Sequence, residues 1–351
     1  MELRVAAIKR FGAFTLDVDF TTSGDRLGIF GESGSGKSTL VNLLAGTIAP
    51  ENGMIYLDGE CLYSRSEGIN VPPERRRIAI VSQYPHLFPH LSVRGNLLYG
   101  YRRCRPENRR IDIGPVAEVL KLEGLLERGV GNLSGGEQQR VSIGRAILAN
   151  PRLLLMDEPL SALDDQLKFQ IIPYLRSVCE EFGIPFLFIS HSLVEMRLMA
   201  ERVVVVEKGR VIRQGTVDEL ARQRMDTSQV GYINLLRLGS PREVAGLYAY
   251  PWGKTELLLT FRVRRPDALV ELSSKDIILC KKHPEAISAR NLLRCRVAGL
   301  FESGNRTGVE LDCGGERLIG EVAGEAAREL QIREGGEIFA AIKASAFREL
   351  G

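Results

Sequence analysis

The stretch Gly31-Glu32-Ser33-Gly34-Ser35-Gly36-Lys37-Ser38-Thr39 constrains this chain more than any other. It fits G-x-x-x-x-G-K-[ST], a glycine-rich phosphate-binding loop. A nucleoside triphosphate presents several negative oxygens at once. Glycines let the backbone curl so that successive N–H groups point inward at them. In such a loop Lys37 reaches the β and γ phosphates, and Ser38 offers its hydroxyl to Mg²⁺. The flanks agree. Arg26-Leu27-Gly28-Ile29-Phe30 reads as a short buried strand entering the loop. Ser38 to Leu44 reads as a helix leaving it, its N-terminus aimed at the phosphates.

The length, 351 residues, suits about two or three domains. A net charge of +3 is too small to point to nucleic acid. The six cysteines, 61, 104, 179, 280, 295 and 313, form no C-x-x-C pair and no regular framework. They read as free thiols of a reducing compartment. No apolar run approaches a membrane span, and Met1-Glu2-Leu3-Arg4-Val5 is strand-like, without a signal-peptide core. The expectation is a cytoplasmic protein that meets a membrane only through a partner.

Along the chain, residues 2–9 and 14–20 alternate as two strands of a hairpin around Phe11-Gly12-Ala13. Phe11 either stacks on the adenine ring or packs beneath its turn. Met54–Leu57 reads as a strand, and so does Ile78–Val81, which leads to Gln83. A Gln at the C-terminal end of a sheet strand sits where open α/β sheets bind ligands. It suits Mg²⁺ or the attacking water. Residues 84–150 change character, with helical spacing in 115–126 and 137–149. Arg102 to Arg110 holds five arginines in nine residues and reads as a solvated basic loop.

Leu133-Ser134-Gly135-Gly136-Glu137-Gln138-Gln139-Arg140 opens a second helix whose N-terminus suits a phosphate. One nucleotide has no use for two cradles on one chain, so Ser134 to Glu137 are expected to serve a nucleotide held by another copy. Leu153-Leu154-Leu155-Met156 is a buried strand ending in two carboxylates. Asp157 suits Mg²⁺, and Glu158 suits polarising water. Ser161-Ala162-Leu163-Asp164 is a loop before a helix. Phe186–Ser190 is a buried strand that delivers His191 to the same sheet edge, as a γ-phosphate contact.

This order of motifs resembles the nucleotide-binding subunit of ATP-binding cassette transporters over residues 1 to about 225. The resemblance implies an α/β fold with a helical subdomain at about 84–150, and ATP and Mg²⁺ as cofactors. It also implies a homodimer with each nucleotide between Gly31–Thr39 of one copy and Ser134–Glu137 of the other, and Asp164 as a further nucleotide-binding residue. Integral membrane permease subunits and a substrate-binding protein would complete the assembly, at the cytoplasmic face of the inner membrane. Chromosome and DNA-repair ATPases share such signatures but need a long coiled coil, for which this chain has no heptad run.

Residues 226–351 alternate short strands with Gly-rich turns: Leu292–Val297, Thr307–Leu311, Arg317–Val322 and Glu337–Lys343. They predict a small, OB-like β-barrel. A faint repeat runs through them. Ile233-Asn234-Leu235-Leu236-Arg237 echoes Arg290-Asn291-Leu292-Leu293-Arg294, and 268–280 echoes 338–350 in apolar phase. Ser288-Ala289-Arg290-Asn291 and Lys343-Ala344-Ser345 resemble the paired motifs of molybdate-binding oligobindin domains. The resemblance implies an oxyanion site made of Ser288, Arg290, Asn291, Lys343 and Ser345. The first half-repeat carries Ser273-Ser274-Lys275 instead, so its site would be altered. With Pro73–Arg77, Leu87–His90 and Val93–Leu97, the whole chain looks most like the ATPase subunits of molybdate importers. Tungstate is an equal cargo on this reading. ATPases of sulfate, iron or sugar importers, and a soluble oxyanion sensor, stay open as alternatives.

Overall fold

The computed structural model describes residues 1–350 except 162, 164, 264–268 and 286. It divides into two compact units, Met1–Val217 and Asp218–Gly351. The expected boundary lay at 225.

In the first unit the strands are β1 (Glu2–Phe11), β2 (Phe14–Ser23), β3 (Arg26–Phe30), β4 (Asn52–Leu57), β5 (Glu60–Ser64), β6 (Ile69–Asn70), β7 (Ile78–Ser82), β8 (Leu153–Asp157), β9 (Phe186–Ser190), β10 (Arg202–Glu207) and β11 (Arg210–Thr216). They form one sheet in the order β6-β5-β4-β1-β2-β11-β10-β3-β9-β8-β7. Strand chemistry explains the split character of this sheet. β3, β8, β9 and β10 are near-continuous apolar runs and pair in parallel, buried on both faces. β2 alternates, burying Leu16, Val18 and Phe20 and exposing its polar residues, and pairs antiparallel with β1. The core lies where Leu40, Val41, Leu43 and Leu44 of helix α1 (Lys37–Ala45) meet the inner faces of Ile29, Leu155, Leu187 and Ile189.

The far end of α1 is held by Arg76, which closes the short helix α2 (Pro73–Arg76) and is fully buried. Its guanidinium donates to the carbonyls of Leu43 (2.7 Å), Leu44 (2.9 Å) and Val71 (2.7 Å). A cation there satisfies the orphan carbonyls of the helix and opposes its dipole. Burial lowers the Arg76 pKa, and five such acceptors offset that cost. The 84–150 region is helical, with α3 (Val93–Tyr101), α4 (Ile113–Val119) and α5 (Gly135–Leu148). The helix expected over 115–126 is shorter: α4 stops at Val119, and Lys121 turns with φ +52°. Helices α6 (Asp165–Glu181) and α7 (Leu193–Met199) follow β8 and β9.

Among the described residues the second unit is built mainly of strands, with short helices α8 (Val217–Gln223) at its start and α9 (Gly324–Glu329). Its first half holds β12 (Ile233–Arg237), β13 (Arg242–Val244), β14 (Leu247–Trp252), β15 (Thr255–Leu259), β16 (Leu269–Ser273) and β17 (Ile277–Cys280). Its second half holds β18 (Asn291–Ser303), β19 (Arg306–Asp312), β20 (Arg317–Ala323), β21 (Glu337–Ile342) and β22 (Phe347–Leu350). The five-stranded sheet runs β17-β21-β18-β19-β20, and a three-stranded one runs β12-β16-β22. Each half therefore lends its last strand to the other: β17 pairs with β21, and β22 with β16. The shared core includes Tyr250, Leu257, Val270, Leu272, Leu293, Val309, Leu311, Ala340 and Ile342.

One expectation fails here. Cys295 and Cys313 are joined in a disulfide, Cα–Cα 4.3 Å, while Cys61, Cys104, Cys179 and Cys280 are free thiols. Arg296 of β18 lies opposite Asp312 of β19, so the next pair outward is Cys295 with Cys313. Cross-strand register makes this pair, and no linear spacing announces it.

Candidate functional site

Four parallel strands end along one edge of the first unit, and register aligns them. Phe30 lies beside Ser190, Ile189 beside Asp157, and Asp157 beside Ser82. The residues that follow these ends are the glycine-rich loop, His191, Glu158 and Gln83. They meet as expected for the carboxyl edge of an α/β sheet. A cleft of about 530 Å³ opens there, lined by Ser33, Gly34, Gly36, Lys37, Ser38, Thr39, Ser82, Gln83, Tyr84, Phe11, Phe14, Asp157 and Glu158.

The loop's glycines have specific jobs. Gly34 and Gly36 take φ +78° and +104°. A Cβ on Gly36 would lie 2.8 Å from Leu16 Cδ1 and 2.9 Å from Phe14 Cζ. A Cβ on Gly31 would collide with the Val206 carbonyl. Gly36 caps α1 without a side-chain acceptor, so the first N–H groups of the helix remain for an anion. Lys37 is 5 % exposed and donates to the carbonyls of Gly31 (3.0 Å) and Glu32 (2.8 Å), with Glu158 Oε1 at 3.5 Å. Its charge is thus held over the loop. Glu158 turns with φ +44°, in the left-handed region, which is uncommon for a residue with a side chain. Its Oε2 lies 3.7 Å from His191 Nδ1, and its carbonyl accepts from the Ser161 hydroxyl at 2.9 Å.

Asp157 shows what the cleft is built to hold. Burial pushes its carboxyl pKa up, against a hydrogen bond from the Ser38 hydroxyl. Its Oδ1 is buried with no hydrogen-bond partner among the described residues. An orphaned buried carboxylate oxygen beside a hydroxyl, with the Gln83 amide lining the same cleft, is a hard oxygen donor set. That set suits Mg²⁺.

Behind His191 runs a buried polar chain. The Ser190 hydroxyl donates to Glu195 Oε2 at 2.6 Å and accepts from Ser192 N at 3.0 Å. The Ser192 hydroxyl caps α7 by accepting from Glu195 N, and Lys168 Nζ of α6 lies 3.6 Å from Glu195 Oε1. Glu195→Ala strips the Ser190 hydroxyl of its acceptor in a site where that residue is 2 % exposed. The expected loss is about 1–3 kcal/mol of unfolding free energy, read from urea denaturation of the full chain. An unshifted midpoint would remove Glu195 from this role.

Ser134 to Glu137 lie elsewhere on the unit and do not line the cleft. Ser134 caps α5 in a reciprocal box. Its backbone N donates to Glu137 Oε2 at 2.7 Å, and its hydroxyl to the same oxygen at 2.8 Å. These bonds, the backbone one first, lower the Glu137 pKa. Ser134 and Gly135 are exposed, so a helix N-terminus faces solvent with a preformed cap. Gly136 is there for packing: a Cβ would lie 2.8 Å from Leu167 Cδ1 of α6.

A sequence model of one family, described as ABC transporter, matches residues 16–161, and the TOBE domain model matches residues 287–347. The molybdenum import ATP-binding protein ModC of Rhizobium johnstonii is 38% identical over 98% of this chain and 98% of its own. The chain belongs to the ABC transporter family. Among solved structures, cbiO1 from Clostridium perfringens, part of the ABC transporter complex cbiONQ, superposes with a TM-score of 0.54 at 27% identity. That match covers 62% of this chain and 89% of cbiO1. MJ0796, a dimeric bacterial ABC transporter cassette, gives 0.50 at 27% identity, covering 62% of this chain and 99% of its own. The first unit is thus an ATP-binding cassette with ATPase machinery.

The cassette gathers Phe11, Ser33, Gly34, Gly36, Lys37, Ser38, Thr39, Gln83, Asp157 and Glu158 in one cleft, with His191 against Glu158. Asp164 lies outside the described residues. Phe14 and Tyr84 also line the cleft, and sequence reasoning missed both. Phe14 pairs with Phe11 across the β1–β2 turn, a signal available from the hairpin alone. Arg76 was legible only as one of three arginines, since its carbonyl partners come from distant segments. In the second unit Ser288, Arg290, Lys343 and Ser345 are exposed where β18 starts beside the end of β21. Asn291 is a correction. It is buried, and both its amide hydrogens go to carbonyls, Leu258 at 2.9 Å and Ile342 at 3.4 Å. Its amide therefore fastens strands and has no hydrogen left for an anion.

Proposed function

We propose that this ATPase powers import of molybdate through separate membrane permease subunits supplied by a substrate-binding protein. The convergence of Lys37, Ser38, Asp157 and Glu158 in one cleft supports hydrolysis of ATP. Similarity to a molybdenum import protein along both units supports the cargo. In the reaction, Lys37 exchanges the Gly31 and Glu32 carbonyls for β and γ phosphate oxygens. Ser38 and Asp157, with Gln83, would hold Mg²⁺, which would supply charge neutralisation at the phosphates. Glu158 takes the proton of the attacking water, and His191 on its flank contacts the γ phosphate. Phe11 and Phe14 offer ring faces for the base.

Two copies act together on this reading. The exposed cap at Ser134–Glu137 of one covers the nucleotide on the other's loop. The pair works at the cytoplasmic face of the membrane. No described helix is long and apolar enough to cross a membrane, so translocation needs the permease. Ser288, Arg290, Lys343 and Ser345 form an oxyanion site that reports internal molybdate or tungstate and lowers transport when the anion is plentiful.

The test is uptake of labelled molybdate. Cells lacking the chain should lose most uptake at low external concentration. The unaltered chain should restore it, and Glu158→Gln should not. Unchanged molybdate uptake with lost sulfate or iron uptake would reassign the cargo and leave the ATPase intact.

A further inference from the structure

The two halves of the barrel repeat each other at the level of single hydrogen bonds. Asn234 donates to Leu272 O (3.1 Å) and Ile319 O (2.9 Å) and accepts from Ile319 N (2.7 Å). Asn291 donates to Ile342 O and Leu258 O and accepts from Leu258 N (2.6 Å). Each asparagine thus clamps its own partner strand and one strand of the opposite half. Equivalent positions follow directly. Leu272 matches Ile342, and Ile319 matches Leu258. Two residues on, Ser274 matches Ala344, and Glu321 matches Thr260. Counting back from the asparagines, Gly231 matches Ser288 and Ile233 matches Arg290.

The cradle at Ser288 and Lys343 therefore has a twin at Gly231 and Ser273, next to Ser274, and the twin is filled. Glu321 is 6 % exposed, and its Oε2 accepts from the Ser274 hydroxyl at 2.6 Å. Its Oε1 is buried without a hydrogen-bond partner among the described residues. The same Ser274 hydroxyl accepts from Tyr232 N at 2.9 Å. Gly231 takes φ +69°, and a Cβ there would collide with Glu321 Oε2 and lie 2.5 Å from Ser274 Oγ. A serine at 231, as at 288, is incompatible with Glu321 in place. Lys275 turns its ammonium to the carbonyls of Ser228 (2.9 Å) and Gln229 (3.1 Å). At the other cradle Thr260 replaces the carboxylate, and Thr260, Ser288, Arg290 and Lys343 are exposed.

We propose that the barrel takes one tetrahedral oxyanion per chain, at Ser288 and Lys343, because Glu321 is the resident anion of the twin cradle. An incoming dianion there meets a buried like charge, which low dielectric makes costly. The proposal rests on the oxyanion reading above.

Equilibrium dialysis of the full chain against labelled molybdate tests it. The unaltered chain should bind one equivalent. Lys343→Ala should weaken that equivalent by about tenfold or more, and Lys275→Ala should leave it unchanged. Glu321→Thr, which installs the residue of the open cradle, should add a second, weaker equivalent. Two equivalents in the unaltered chain, or sensitivity to Lys275→Ala in place of Lys343→Ala, would overturn the proposal without harming the oxyanion reading. A single equivalent in Glu321→Thr that melts like the parent would also overturn it. If Glu321→Thr does not fold, the Lys343 and Lys275 variants still decide. No binding by any variant would reject the oxyanion reading and this proposal together.

Discussion

Glu158→Gln is expected to bind ATP and hold it. Turnover should fall by about 10²–10⁴-fold, the usual contribution of a positioned general base. The loop's glycines, Lys37 and Ser38 are untouched, so the phosphate cradle persists. The amide keeps the size of the carboxylate but cannot take a proton from water. It also removes a negative charge beside the phosphates, since Glu158 Oε1 lies only 3.5 Å from Lys37 Nζ. Less like-charge repulsion should leave ATP affinity equal to the parent's or tighter. Stalled hydrolysis with retained affinity makes ATP-loaded dimers accumulate. Size-exclusion chromatography with ATP and Mg²⁺ reads the dimer, and phosphate release reads the turnover. Hydrolysis near the parent rate would dismiss Glu158 as the base.

Much of this site is local chemistry, which explains why it is legible in the sequence. The glycine-rich loop and the pair Asp157-Glu158 are contiguous residues at strand ends, and strand ends can be read from apolar runs such as Leu153–Met156. What the sequence leaves hidden depends on register and distance. Cys295 meets Cys313 only because β18 and β19 pair Arg296 with Asp312. Asn291 looked like an anion donor beside Ser288 and Arg290, yet its amide is spent on Leu258 of β15 in the first half and Ile342 of β21 in its own. The echo of Asn234 in Asn291 was visible as a repeat. Its physical meaning, two matching backbone clamps, needs strands brought together from both halves. Glu321 carries no signal at all in sequence, because its importance comes from the hydroxyl of Ser274, distant in the chain.

Ser134→Arg should abolish turnover while each copy still binds nucleotide. The cap at Ser134 is exposed and lies apart from the cleft of its own chain, and on the proposed reading it serves a second copy. Replacing it puts a bulky cation where a compact hydroxyl and helix N–H groups would meet the γ phosphate. Loss of such anion-facing donors is expected to cost about 10²–10³-fold in turnover. It also breaks the reciprocal bonds with Glu137, so the helix start loses its cap. Geometry is separated from misfolding by mixing with Lys37→Ala, which is inactive for a different reason. If the nucleotide lies between copies, a mixed dimer holds one site with both lesions and one with neither. Two inactive proteins should then recover hydrolysis on mixing, in proportion to the mixed dimers formed. Linking the two variants in one polypeptide guarantees the mixed dimer. If each site instead uses the cap of its own chain, every site carries one lesion and nothing is recovered. An inactive linked pair that still binds nucleotide at its intact loop would therefore count against the shared site, unless both sites must work together.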